Sequence, residues 1–524
     1  MQSFALTVDT FLTHAAKWFG DHEVIWAEKG AAVARIGYAG LHDRANRLSG
    51  ALAALGMGQG DRVGTLAWNT QHHLEVYYGV MGAGGVCHTL NPRLTPAQLA
   101  AMIVEADDRI LAVATDLMPL MGQVLPHCPG VRHVIVLDGE SDAAAPPGTI
   151  AFEALLAMHG APARWGAFDE HTPAGLCYTS GTTGRPKGVL YTHRSNYLHT
   201  LRALQADAIG ITARDTLLLA VPMFHANGWG LPFAAPAAGT KLVLPGRHLD
   251  GASLARLIRA EGVTVAVGVQ TVWLALADHL DRTGEDLPTL GRIVIGGSNC
   301  PDALLDRLRT RLGAQIQTSW GMTELSPVGT IAPAGAAPGP SGSAGRPPVG
   351  VDLKLTDADG ATLADQRGTL GYLKVRGASV LDRYFGADAD ALDAEGYFDT
   401  GDLATIDAAG NLTICGRAKD LIKSGGEWIN PAEIEAIVGA HPSVRHVAVI
   451  ARPDPRWGER PVLVIEGASD RKALLDLLRG RVADWWIPDR VATVATMPLA
   501  ATGKIDKTRL RADYERGLIV ADPA

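Results

Sequence analysis

The sequence predicts an α/β protein with a large N-terminal domain of layered α/β and β-rich subdomains and a small C-terminal α+β domain. Three observations lead there. The chain has 524 residues, and a single hydrophobic core stops growing near roughly 250–300 residues. Helix-like and strand-like hydrophobic patterns alternate through the first half of the chain, as in parallel sheets covered by helices. A Pro/Gly/Ala-rich stretch from Ala332 to Gly350 then leads into shorter strand-like pieces, and near residue 419 the character changes again to a compact tail. The expected division is residues 1–418, with the β-rich part from about 340 to 418, and residues 419–524.

In chain order, the first 24 residues show an amphipathic pattern with acidic residues. An amphipathic helix is expected over Tyr38–Leu55, a strand at Arg62–Ala67 and a helix at His72–Gly82. Apolar runs at Leu217–Val221, Lys241–Leu244, Val263–Val267 and Arg292–Ile295 are the next strand candidates, followed by Val351–Leu355 and Tyr372–Arg376 in the β-rich part. A helix over residues 431–439 has Asn430 as its cap, Pro431 in its first turn and Glu433 three residues after the cap.

Composition removes several function classes. Hydrophobic residues make up 47% and charged residues 19%, the balance of a chain that buries a core rather than staying disordered. A net charge of -8 argues against a nucleic-acid surface, which needs clustered Lys and Arg. The five cysteines, Cys87, Cys128, Cys177, Cys300 and Cys415, lack the close pairs of a zinc site and the density of a disulfide scaffold, which fits a reducing cytoplasm. No export signal is visible at the N-terminus. Thr216–Thr240 contains no Lys, Arg, Asp or Glu, but its prolines and glycines favour a buried strand and helix lining a cavity over a membrane span.

The run from Tyr178 to Gly188, YTSGTTGRPKG, packs small hydroxylated residues and glycines into one loop. Glycine permits close backbone approach, Ser and Thr hydroxyls and backbone N–H groups donate to phosphate oxygens, and Lys187 supplies a mobile positive charge. A Walker loop is disfavoured, because Gly-Lys-Ser/Thr is absent and Pro186 stands directly before Lys187. The bland alternative is a flexible surface turn.

This loop resembles the phosphate-binding signature of the adenylate-forming superfamily, which includes acyl-CoA synthetases, luciferases and peptide-synthetase adenylation domains. Four further segments match that family in order and spacing, so the resemblance covers nearly the whole chain. They are Ser319–Glu324 (SWGMTE), Tyr397–Asp402 (YFDTGD), Gly416–Gly426 (GRAKDLIKSGG) and Thr502–Lys504. Carried over residue by residue, the resemblance implies ATP, Mg2+ and coenzyme A as the small molecules used. It puts Thr179, Ser180, Gly181, Thr182, Thr183, Gly184 and Lys187 on the phosphates and Thr323 at the α-phosphate. Glu324, with Thr183, falls at the metal. Trp320, where tyrosine is more common, would stack on adenine beside Gly297, its alternative being a core tryptophan. Asp402 would accept hydrogen bonds from both ribose hydroxyls, with Arg417 on the other side.

The resemblance also implies a mobile C-terminal domain turning about Lys419, whose bland alternative is an exposed lysine, and a catalytic Lys504 that neutralises charge during adenylation. Ser424, Gly425 and Gly426 would help form the pantetheine tunnel in the second half-reaction. Lys507 reads as a solvated lysine. Fatty acyl-CoA ligases supply the match for Pro222–Gly230, in which His225 borders the acid site, or is a buried core histidine, and Trp229 gates an acyl tunnel. Phe224, Trp229, Val267, Val269 and Trp273 would form an apolar cavity, with Gly296 beside it. The implied activity is AMP-forming ligation of a hydrophobic acid to coenzyme A, with a medium- or long-chain fatty acid as substrate. Arylalkanoates, short thioether acids and the loading of a carrier protein remain alternatives. A non-catalytic sensor would be expected to lose Lys504 or Glu324, and both are present. A homodimer is common among the ligases that the chain resembles.

Overall fold

The computed structural model describes residues 1–27, 33–139, 148–179, 186–297, 300–336, 339–425, 427–467, 470–500 and 505–523. It is a mixed α/β structure with a large N-terminal part and a small C-terminal part. Two largely parallel sheets form the body. In the seven-stranded sheet the spatial order is Thr149–Ala151, His133–Val136, Ile110–Val113, Arg62–Leu66, Val86–Thr89, Pro173–Thr179 and Lys187–Thr192. Only the last pair is antiparallel. The eight-stranded sheet runs Val328–Ile331, Gln315–Gly321, Arg292–Gly296, Val265–Val269, Thr216–Leu219, Lys241–Leu244, Glu23–Ala27 and Val33–Gly37, antiparallel only at its two edges.

Burial on both faces explains the continuous apolar runs of these strands. Leu217, Leu219, Val265 and Val267 join the core shared with the seven-stranded sheet, whereas Leu218, Ala266, Ile293 and Ile295 point the other way. That second face is covered by helices Gly251–Glu261, Gln270–Thr283 and Asp302–Leu312. Helix Gln71–Gly82 is buried at every residue except His72, and its Leu74, Tyr77, Tyr78 and Met81 belong to the shared core. The helix is enclosed on all sides, so its polar Gln71, His73 and Glu75 are buried as well. Its Tyr78 hydroxyl donates to the Pro232 carbonyl at 2.9 Å.

The expected strand at Val263–Val267 lies two residues later, at Val265–Val269. Gly262 adopts φ 64° as the left-handed cap of the preceding helix, and the Val263 N–H is spent closing that cap onto the Ile258 carbonyl. Within Thr216–Thr240 lie the strand Thr216–Leu219 and the helix Leu231–Ala238, both largely buried. Among the described residues no helix is long and apolar enough to cross a membrane.

An antiparallel sheet of Val351–Thr356, Gly371–Gly377, Phe398–Ile406 and Leu412–Arg417 follows. Its Leu373, Val375 and Phe398 pack with Trp320, Leu325 and Tyr191 of the layered body. The turn Ala418–Asp420 leads to a six-stranded mixed sheet built between Ile422 and Pro523, with helices Pro431–Gly439 and Lys507–Glu515 against it. Asn430 caps the first of these helices, its side chain accepting from the Ala432 N–H at 3.1 Å.

Candidate functional site

Ligands of open α/β sheets bind outside the carboxyl ends of the strands, and both parallel sheets point those ends toward one cleft. Asn69, just past the strand Arg62–Leu66, ties the two sheets there. Its amide donates to the carbonyls of Leu219 and Val221 at 2.9 and 2.8 Å and accepts from the Met223 N–H at 2.7 Å. The chain after Thr216–Leu219 is thereby steered into the cleft.

Thr179 and Lys187 face each other in antiparallel register. Ser180, Gly181, Thr182, Thr183 and Gly184, which connect them, lie outside the described residues. The Lys187 ammonium sits 4.8 Å from the centre of the Tyr384 ring. From the neighbouring sheet, the strand Gln315–Gly321 delivers Thr323 and Glu324, which are 6% and 7% exposed. The Tyr191 hydroxyl donates to the Thr323 carbonyl at 2.8 Å, and the Tyr384 hydroxyl donates to Glu324 Oε1 at 2.9 Å. Burial pushes the Glu324 carboxyl above its ordinary range, against the pull of the Tyr384 hydrogen bond and of the positive charges of Arg417 and Lys187.

Asp402 is 4% exposed and opposes Arg417 across the antiparallel sheet. Arg417 Nε lies 2.9 Å from one carboxylate oxygen, and Trp320 Nε1 donates to the other at 3.0 Å. Arg417 is itself fixed by a 2.7 Å bond to the Thr400 carbonyl. Trp320 belongs to the core, its indole lying so close to Gly329 that a Cβ there would fall 2.4 Å from it. It also lines a cavity of about 480 Å3 together with Gly297, Ser319, Asp402 and Arg417. Its hydrogen bond to Asp402 was not foreseen from the sequence.

Ala226, Asn227, Gly228, Trp229 and Gly230 all adopt positive φ, from 45° to 74°. Such a left-handed run costs L-residues roughly 1–2 kcal/mol each, and it carries the Trp229 ring onto Gly296. A Cβ at Gly296 would lie 2.8 Å from the indole and 2.4 Å from Ser319 Oγ. A Val269 methyl lies 3.3 Å from the Cβ position of Gly297. Trp229, Val269, Gly296 and Gly297 are therefore together, with half-buried His225 at the start of the turn. Trp273 is not with them. It packs under Gly268 on the opposite face of the sheet, because residues 267 and 269 point to one side and 268 to the other.

Lys419 is exposed within the turn Ala418–Asp420. Ser424 is buried, and Gly425 takes φ 62° at the end of its hairpin strand, its N–H bonded to the Trp457 carbonyl at 2.7 Å. Gly426 and Lys504 lie outside the described residues. Lys507 corrects the sequence reading: its ammonium pairs with Glu435 at 2.7 Å and lines the same cavity as Asp402. One helical turn later Arg511 pairs with Asp420 at 2.5 Å. Tyr384 and Glu435 were missed because each acts through tertiary neighbours. Tyr384 reaches the cleft through a bridge to Val189 that nothing in its local pattern signals.

The fold is that of the adenylate-forming superfamily, and the chain falls in its acyl-CoA synthetase branch. A family model described as AMP-binding enzyme matches residues 12–385, and one described as AMP-binding enzyme C-terminal domain matches residues 433–504. The chain belongs to the AMP-binding enzyme family. A 3-methylmercaptopropionyl-CoA ligase of Ruegeria lacuscaerulensis is 42% identical, with 99% of each chain covered. A medium-chain-fatty-acid–CoA ligase of Ectopseudomonas oleovorans is also 42% identical, over 97% of this chain and 96% of its own. The crystal structure of the anthranilate CoA ligase AuaEII with anthranoyl-AMP shares the fold, with a TM-score of 0.89 at 23% identity and 99% of each chain covered.

Proposed function

We infer that the chain is an AMP-forming acid–thiol ligase that activates a hydrophobic carboxylic acid with ATP and transfers the acyl group to coenzyme A. The observation that carries this reading is the proximity of two groups: Asp402, Arg417 and Trp320 line one cavity, and Glu324, beside Thr323, feels the charges of both Arg417 and Lys187. In the first half-reaction a carboxylate oxygen bonds to the α-phosphorus and pyrophosphate leaves. In the second, the thiol sulfur bonds to the acyl carbon, its proton is lost and AMP leaves.

Asp402 holds the ribose hydroxyls as an acceptor, oriented by the Arg417 guanidinium beside it. Lys187, with Thr179, Ser180, Gly181, Thr182, Thr183 and Gly184, binds the phosphates. Glu324 fits a magnesium site. Among the described residues no group of three or more His, Cys, Asp or Glu could hold a metal, and Mg2+ commonly takes one or two carboxylates and fills its remaining positions with phosphates and water. When bound it would neutralise phosphate charge, with Glu324 and Thr183 as its protein ligands. Lys504 acts on carboxylate and phosphate charge in the first half-reaction only. Arg417 is tied to Asp402 and Thr400, whereas Asp420 is tied to Arg511 of the C-terminal part. Rotation between the half-reactions would then be absorbed by Ala418 and Lys419, after which Ser424, Gly425 and Gly426 approach the pantetheine arm.

The acid site lies around His225, Trp229, Val269 and Gly296, and a medium- or long-chain fatty acid is the preferred substrate. Closure of the Trp229 ring over Gly296 favours a second reading, a short thioether acid, the substrate class in the name of the Ruegeria relative. All five cysteines are free thiols, as a cytoplasmic setting allows. The test is pyrophosphate release from Mg·ATP across acids from acetate to palmitate, 3-methylmercaptopropionate and phenylpropionates, with and without coenzyme A. Release that depends on one acid class, with AMP and acyl-CoA accumulating together, supports the reading. Adenylate formation without transfer to coenzyme A would assign the acyl group to another acceptor.

A further inference from the structure

Lys187 and Glu324 come from different sheets, yet the phosphate and metal chemistry inferred above needs them at a fixed separation. Tyr384 contacts both. Its hydroxyl donates to Glu324 Oε1 at 2.9 Å, and its ring face carries the Lys187 ammonium 4.8 Å from the centroid. The tyrosine is itself fixed from two sides. Its backbone bridges Val189 and the next residue's N–H bonds the Gly188 carbonyl at 2.8 Å, both on the strand that Lys187 begins. Its ring meets Phe398 edge-on, with centroids 6.4 Å apart.

We propose that Tyr384 is the positioning residue of the phosphate and metal site, orienting the Glu324 carboxylate through its O–H and confining the Lys187 ammonium on its ring. The proposal rests on Glu324 being a metal ligand. A hydrogen bond to one carboxylate oxygen fixes the rotation of the whole group, which is how residues one step removed from a metal set its affinity. The ring face is a separate device. It attracts the ammonium without offering an acceptor that would compete with phosphate. The two functions can therefore be separated by substitution: Tyr384→Phe removes only the O–H, and Tyr384→Leu removes the ring face as well.

The experiment measures Mn2+ binding by electron paramagnetic resonance in the presence of a non-hydrolysable ATP analogue, and analogue binding alone in EDTA. Tyr384→Phe is expected to weaken Mn2+ about 10-fold and leave analogue binding in EDTA within twofold of wild type. Tyr384→Leu is expected to weaken both. Glu324→Gln is the reference. If it weakens Mn2+ while Tyr384→Phe does not, the proposal fails and the reading of Glu324 stands. If neither changes Mn2+ binding, both fail. A loss of thermal stability in Tyr384→Phe with unchanged Mn2+ affinity would make the residue merely structural and also overturns the proposal.

Discussion

Replacing Trp320 with phenylalanine separates the two duties of that side chain. The indole N–H donates to the Asp402 carboxylate at 3.0 Å, and Arg417 Nε lies 2.9 Å from the same carboxylate. Hydrogen bonds to a charged group contribute about 1.5–3 kcal/mol, and 1.4 kcal/mol is a factor of ten in an equilibrium. If Asp402 grips ribose, freeing it to turn should raise the KM for ATP about 10-fold or more in acid-dependent pyrophosphate exchange. Loss of the indole's outer ring also opens space over Gly329, which lowers stability whether or not the hydrogen bond matters. A double-mutant cycle with Asp402→Ala isolates the bond. In the Asp402→Ala background Trp320→Phe should cost at least about 1 kcal/mol less in ATP affinity than in wild type. Additive effects, or a KM for ATP within twofold of wild type in Trp320→Phe, would refute the reasoning.

Burial raises the Asp9 carboxyl to about 6. Because its folded value lies above its unfolded one, the group lowers stability as pH rises from about 4 through 6, by up to about 3 kcal/mol above that window. Asp9→Asn should therefore stabilise against denaturant at pH 8 and give no gain at pH 4; a pH-independent effect would contradict this. Gly296→Ala drives a Cβ into Ser319 Oγ and the Trp229 ring. It should raise the KM for the acid about 10-fold, on the scale of a forced repacking of about 1–3 kcal/mol, and an unchanged acid KM would place the acyl group elsewhere. Lys504→Ala should abolish adenylation while leaving transfer from a supplied acyl-adenylate to coenzyme A largely intact, and equal loss of both halves would remove Lys504 from its role.

Much of the architecture was legible because parallel strands buried on both faces announce themselves as unbroken apolar runs. Lys241–Leu244 was read with its observed bounds, and Arg292–Ile295 came within one residue. The strand at Val265 was misplaced because a left-handed glycine cap is a backbone event that apolar pattern does not register. Trp273 was assigned to the acid cavity because hydrophobicity reveals burial but not the face buried, which depends on the parity of its neighbours in the strand. At the site, chemistry-bearing residues within motifs could be named in advance. Their tertiary partners could not, since nothing near Tyr384 or Glu435 in sequence points to Glu324 or Lys507.

The most direct measurement of an acyl-adenylate mechanism is the fate of an oxygen label. A substrate acid carrying 18O at both carboxylate oxygens is converted to its coenzyme A thioester in a single turnover, and AMP and pyrophosphate are analysed by mass spectrometry. Attack on the α-phosphorus followed by cleavage of the acyl carbon–oxygen bond leaves one 18O in AMP and none in pyrophosphate. Label in pyrophosphate, or none in AMP, would contradict it.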